Sequence, residues 1–221
     1  MRHIKFFEPK DIQKEIEIRW SMLNSYMNPS PYEFKDMDNK VEVMNLGDRY
    51  HSISQSTMLM WKYKWLETAD RHIRELNNMM PFTRDKEILW FISWWAHQIV
   101  DLTLEKFNDK DNPEERTDDK LTCQYVEEKR QIIIDYSWFK INFSGTSDAD
   151  CYCGTMIDIK SAWSKWSQDK ADSERQKYYY AFLKCELEWI EEVKFNYMVL
   201  TKQKKVQLQW FEYIITKEEA R

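Results

Sequence analysis

Residues 155–160, Thr-Met-Ile-Asp-Ile-Lys, limit the folds open to this chain more than any other stretch. Side chains alternate faces along a strand, so Ile157 and Ile159 point one way while Asp158 and Lys160 point together the other way. The isoleucines suit a core and the charged pair suits an open cleft. Upstream, Asp148 is followed by Asp150, Cys151, Tyr152, Cys153 and Gly154, and a hairpin there returns the chain so that Asp148 and Asp158 approach each other. Carboxylates that close repel unless a cation lies between them. Mg²⁺ or Mn²⁺, which take oxygen ligands and keep several waters, fit best. Downstream, Asp172 or Ser173 is an N-cap candidate for a helix on which Gln176 and Tyr180, four apart, share one face.

Taken alone, Asp-x-Lys on a strand is most often a solvated face. The weight comes from the ordered set: Gly145-x-x-Asp148, then apolar-Asp158-x-Lys160-Ser-Ala, then Gln176-x-x-x-Tyr180. As a set it resembles the PD-(D/E)xK nuclease superfamily, in particular its RecB-like exonuclease branch. The resemblance covers roughly residues 50–215. It implies that Asp148, Asp158 and the backbone carbonyl of Ile159 hold the metal, and that Lys160 orients or helps deprotonate an attacking water. Gln176 and Tyr180 are implied to contribute to the site and to DNA contacts. The branch also looks like Gly-x-x-x-His-x-x-x-Glu on a helix, its histidine near or on the metal; His97 and Asp101 fill the last two places, with Ser93 where the glycine belongs. A glutamate near the site is expected as well, at Glu127 or Glu128.

Composition bounds the classes. At 221 residues, 43% hydrophobic and 32% charged, the chain reads as one sizeable globular domain with a helical extension. Three glycines leave no room for a glycine-rich phosphate cradle, and no Walker or dinucleotide fingerprint is present. The N-terminal apolar run is too short for a signal peptide and no stretch is long enough to cross a bilayer, so a cytoplasmic location is expected, in the host if the source is viral. A net charge of −5 argues mildly against nucleic acid, but a local basic groove can coexist with it. Groove candidates are Lys160, Lys165, Arg175, Lys177, Lys202, Lys204 and Lys205. Cys123, Cys151, Cys153 and Cys185 are expected to be reduced. Some relatives of this branch hold an iron–sulfur cluster with four cysteines, but the spacing here departs from that pattern and disfavours it.

Along the chain, residues 9–28 read as a helix with Ile12, Ile16, Trp20 and Leu23 on one stripe. Residues 32–50 read as loop with a short strand over 41–44, followed by N-cap candidates at 50–57 and a helix over 58–79. A second helix spans about 86–107, with Ile88, Ile92, Trp95, Ile99 and Leu102 on its apolar face. Residues 108–120 are a surface connection. Strands follow over 125–135, 138–143 and 155–160, then a helix over 172–192 and a closing hairpin from 195–201 and 206–215.

The fold class is therefore α/β: a central mixed sheet flanked by helices, which the resemblance makes a restriction-endonuclease-like core, with an N-terminal helical part. Residues 1–50 form the extension; 51–221 form the nuclease-like domain, with a helical wall at 51–120 and a sheet core at 121–221. The function implied is a Mg²⁺- or Mn²⁺-dependent exonuclease acting on DNA in recombination or repair. Partners implied are DNA, a second copy, or a helicase or recombination protein, and no membrane. The rival is a nuclease-fold module without catalysis that binds nucleic acid or a protein.

Overall fold

The structure, a computed structural model, describes residues 15–20, 23, 37–59, 71, 83–110, 112, 114, 116–136 and 139–221. In chain order its elements are β1 (Glu15–Arg19), α1 (Met37–Leu59), α2 (Thr83–Lys106), β2 (Cys123–Tyr136), β3 (Phe139–Cys151) and β4 (Met156–Ala162). They continue with α3 (Gln168–Ser173), α4 (Gln176–Glu188), β5 (Glu192–Thr201), β6 (Leu208–Thr216) and α5 (Lys217–Ala220).

One sheet runs β1-β3-β4-β5-β6, with β2 along the other edge of β3. β1 pairs with β3 and β4 with β5 in parallel; the remaining pairings are antiparallel, so the sheet is mixed. The parallel step from β4 to β5 needs a crossover, and α3 and α4 supply it. Burial on both faces follows. One core sets Tyr50, Ile53, Trp95 and Ile99 of α1 and α2 against Ile157, Ile159, Met198 and Leu200. The other sets Ala181 and Cys185 of α4 against Met156, Phe195, Tyr197 and Val199. The chain is thus an α/β protein with a central mixed sheet between helices, as the strand and helix patterns call for. Cys123 and Cys151 belong to the first core and Cys185 to the second.

The N-terminal third differs from the sequence reading. Where a helix over 9–28 is expected, Glu15–Arg19 is a strand; the rest of that stretch, apart from Trp20 and Leu23, lies outside the described residues. The segment Glu-Ile-Glu-Ile-Arg alternates with period two, a signal that the four-residue spacing of Ile12, Ile16 and Trp20 hides. Where loop and a strand over 41–44 are expected, α1 is already helical from Met37, so the division at 50/51 falls inside a helix. Its packing face (Tyr50, Ile53, Ser54, Thr57 and Met58) includes small hydroxyl residues, and these weaken the apolar stripe by which a buried helix is recognised. Of the helix expected over 58–79, residues 60–70 and 72–79 lie outside the described residues. The 108–120 connection is pinned by Asn108, whose amide donates to the carbonyls of Thr117 and Lys120 and to Thr122 Oγ1 and accepts from Thr117 N–H.

Two features of β2 and β3 position the site. Val126 and Ala149 pack with the first core, while Arg130, Ser147 and Gly145 face α4. Residues 147 and 149 would share a face in a regular strand, so the strand pair switches sides between them. Glu127, opposite Asp148 at this switch, has φ 53°, a left-handed conformation that costs a side chain roughly 1–3 kcal/mol. The second feature is a buried charge cluster. Asp150, 2% exposed, accepts from Arg130 Nη1 (2.9 Å), Ser147 Oγ (2.6 Å) and Lys184 Nζ (2.8 Å), tying β2, β3 and α4 together. Asp150→Ala removes the buried carboxylate of this cluster, leaving Arg130 to Glu128 and Lys184 to the more exposed Glu188, and is expected to cost up to about 3–5 kcal/mol of stability in urea unfolding.

Candidate active site at a fork in the sheet

The ladder between β3 and β4 is short, Ala149 with Ile157 and Asp150 with Met156. β1 covers the same edge of β3 lower down, from Lys140 to Ser144. Between these pairings, from Gly145 to Asp148, β3 and β4 fork. Asp148 bridges the fork: its Oδ2 accepts the Ile159 N–H at 2.7 Å. Within a strand a residue's N–H and C=O share one edge, so the Ile159 carbonyl is turned toward the same gap.

Asp158 and Lys160 share a face, as strand alternation requires, and Asp158 lies beyond the last rung of the hairpin next to Asp148. The face is not an open one. Met156 packs into the α4 core, and Asp158 is 2% exposed. Burial raises its carboxyl to about 6, nearby Asp148 adds to the rise, and Lys160 opposes it. Lys160 Nζ lies 2.7 Å from Asp158 Oδ2 and donates to Gln176 Oε1 at 2.6 Å; Gln176 Nε2 donates to the Tyr180 hydroxyl at 2.9 Å. Burial alone would lower the Lys160 ammonium, yet the charge of Asp158 beside it holds it above its ordinary value. The Lys160 ammonium is thus the partner of Asp158 Oδ2, and no backbone N–H or hydroxyl among the described residues reaches that oxygen. The structure therefore brings Asp148, Asp158, Ile159, Lys160, Gln176 and Tyr180 into one cluster.

The register of α4 explains Gln176. A separate short helix, α3, ends at Ser173 with its N-cap at Ser167, so the expected cap at Asp172 or Ser173 is not the start of α4. Arg175 stands at the N-cap of α4 instead. Lys177, 1% exposed, closes the turn by donating to the carbonyls of Ala171, Asp172 and Glu174. It is therefore structural and not a groove cation, and Lys202 is buried likewise. Lys165, Arg175, Lys204 and Lys205 are exposed. Gly145 lets α4 come close: a Cβ there would lie 2.9 Å from Tyr180 Cε1 and 3.0 Å from Leu183 Cδ1.

The histidine set against Asp148 is His51, with Nδ1 3.6 Å from Asp148 Oδ2, and not His97. Among the α2 residues whose burial is described, from Trp94 on, the buried ones are Trp95, Ala96, Ile99, Val100 and Thr103; His97 and Asp101 fall off that face and are exposed. The signal was present in the sequence. Gly47-x-x-x-His51 has the spacing sought at Ser93 and His97, with Gln55 four residues on. Gln55 donates to Glu127 Oε1 at 2.6 Å and to the Asp148 carbonyl at 3.3 Å. Of the two glutamates, Glu127 therefore belongs to this site, while Glu128 pairs with Arg130 at 2.6 Å.

No family profile matches the chain, and no curated protein does. Among solved structures, the protein SSO0001 is 18% identical over 42% of this chain and 41% of its own, with a TM-score of 0.31. A candidate exonuclease from Eubacterium rectale is 11% identical over 86% and 80%, at 0.33. Rai1 of Candida albicans, solved with pU5 and Mn²⁺, is 11% identical over 78% and 51%, at 0.26. At these scores none of them decides what the chain does.

For His51, burial lowers the imidazole, but the hydrogen bond and charge of Asp148 outweigh it and hold the ring above its ordinary value. Its contribution to stability is thus present below the unfolded value near 6.5 and fades as pH rises through the folded one. Asp148→Asn is expected to move the His51 titration, followed by NMR in metal-free protein, to lower pH; an unmoved titration would contradict the pairing.

Proposed function

We propose that the chain is a Mg²⁺- or Mn²⁺-dependent nuclease that hydrolyses phosphodiester bonds of DNA, working from strand ends. The observation that carries this reading is Asp158: a buried carboxylate with a like-charged neighbour across the fork and, as its partner, an ammonium two residues on.

The donor set fits a hard divalent cation. Asp148, Asp158 and the carbonyl of Ile159 offer oxygens, and His51 takes the place expected of His97. Among the described residues no three His, Cys, Asp or Glu side chains form a complete cage. Mg²⁺ does not need one, since it is commonly held by one or two carboxylates with the rest of its shell left to water and substrate. Such an ion, when bound, acidifies water and neutralises phosphoryl oxygens. The protein's own groups do the remainder. Lys160, fixed by Gln176, presents its positive charge where negative charge builds on the phosphorus centre. Gln176 and Tyr180 keep that ammonium from swinging away, and His51 orients Asp148. The exposed Lys165, Arg175, Lys204 and Lys205 are candidates to steer the nucleic acid backbone.

Replacing Lys160 by Ala should remove about 3–5 kcal/mol of transition-state stabilisation, a hundredfold to several-thousandfold loss of cleavage of end-labelled DNA with Mn²⁺. Equal cutting by the variant would end the assignment. Mn²⁺ at about ten times its Kd should raise the wild-type melting temperature by about 3–6 °C and leave Asp158→Asn unmoved. A nuclease-fold module without catalysis predicts no shift in either. Because metal and proton compete for Asp158, Mn²⁺ affinity measured by calorimetry should fall as pH drops through about 6. In metal-free protein the sign is reversed: folding raises this carboxyl above its ordinary 3.8, so its contribution to stability is full at low pH and is lost as pH rises through about 6.

A further inference from the structure

Beside the carboxylates, a cavity of about 450 Å³ opens at the fork, lined by Arg19, Trp20, Lys129, Thr146, Gln176 and Tyr180 among others. It shares Gln176 and Tyr180 with the Lys160 cluster, so whatever fills it lies next to the reacting centre. Its floor is the part of β3 that neither β1 nor β4 pairs. Its volume falls in the range of small-ligand sites, roughly 300–1,000 Å³, and is enough to seat one nucleotide. Its chemistry is aromatic with a cationic rim. Trp20 leans on Tyr179, ring centroids 6.0 Å apart, which anchors the indole. The Tyr179 hydroxyl reaches the carbonyls of Ile18 and Ser144 at 2.8 and 2.9 Å, which locks β1 to β3 below it. Arg19 is partly neutralised by Glu17, to which its Nε donates at 2.9 Å; Lys129, opposite Thr146, is exposed.

We propose that this pocket receives one unpaired nucleotide of the strand being cut, its base against Trp20 and its flanking phosphate at Lys129 and Arg19. The enzyme then acts on single-stranded or frayed nucleic acid and not on closed duplex. The proposal rests on the nuclease reading for its substrate, but binding tests it separately. Full-length protein in EDTA is titrated with a fluorescein-labelled single strand, as DNA and as RNA, and with the blunt duplex of the same sequence. Expected is at least about tenfold tighter binding of a single strand of either sugar than of the duplex, because a base must be unpaired to enter the pocket and it is the base face, not the sugar, that stacks. Trp20→Ala should weaken single-strand binding about ten- to hundredfold, and Trp20→Phe should restore most of it. Should Trp20→Ala not fold, Lys129→Glu on the exposed rim must lower the salt dependence by about one phosphate contact. Duplex bound as tightly as single strand, Trp20→Ala without effect, or an unchanged salt slope in Lys129→Glu each overturns the proposal. Blunt duplex cut as fast as single strand overturns it while leaving the nuclease reading intact. Failure of Mn²⁺ to support cutting of any strand, with the EDTA binding pattern kept, sinks the nuclease reading alone.

Discussion

A carboxylate taken out of water is expensive to keep charged, and Asp158 makes the surrounding architecture necessary. Burying it without compensation would force it neutral; Lys160 on the same strand face supplies the opposing charge at 2.7 Å. Lys160 in turn must be held, and Gln176 holds it. Gln176 reaches Lys160 because α4 begins at that residue, a start fixed by the buried ammonium of Lys177 gathering the carbonyls of Ala171 and Asp172 at the end of α3 and of Glu174 beyond it. The helix lies close enough because Gly145 presents no Cβ to Tyr180 and Leu183.

Two aspartates two residues apart on β3 show how partner supply separates a structural carboxylate from a candidate functional one. Asp150 is saturated: a guanidinium, an ammonium and a hydroxyl account for both of its oxygens. Asp148 spends one oxygen on a backbone N–H across the fork and meets a histidine whose charge is conditional. Asp158, though buried, has the Lys160 ammonium as its partner and no hydroxyl or backbone N–H on Oδ2. Incomplete satisfaction in a buried place is a cost that folding does not need, so its location is informative.

What could be read from the residues was whatever depends on period. The parity of Ile157, Asp158, Ile159 and Lys160, the hairpin ahead of them and the four-residue step from Gln176 to Tyr180 follow from strand and helix geometry alone. What could not be read depends on tertiary context. Glu127 in a left-handed conformation breaks the parity of β2 and β3, and nothing marks a glutamate for a place usually given to glycine or asparagine. His51 was legible in spacing from Gly47 but lay among residues that look like helix caps. His97 is favoured by the four-residue step to Asp101 that the resemblance calls for, though its position on α2 points away from the buried face. The burial of Asp158 is not legible either, because alternation fixes which residues share a face and not what covers that face.

The junction of β1 with β3 has a consequence for how the molecule is assembled. Glu17 and Ser144, joined by a hydrogen bond, are 127 residues apart, whereas the ladders of β2 with β3 and of β5 with β6 join neighbours in sequence. Closing so long a loop is entropically unfavourable until most of the intervening chain has condensed. The wall carrying Arg19 and Trp20 is therefore among the last parts to dock, and a newly made chain has its carboxylate centre in place before it has the surface that chooses what reaches it.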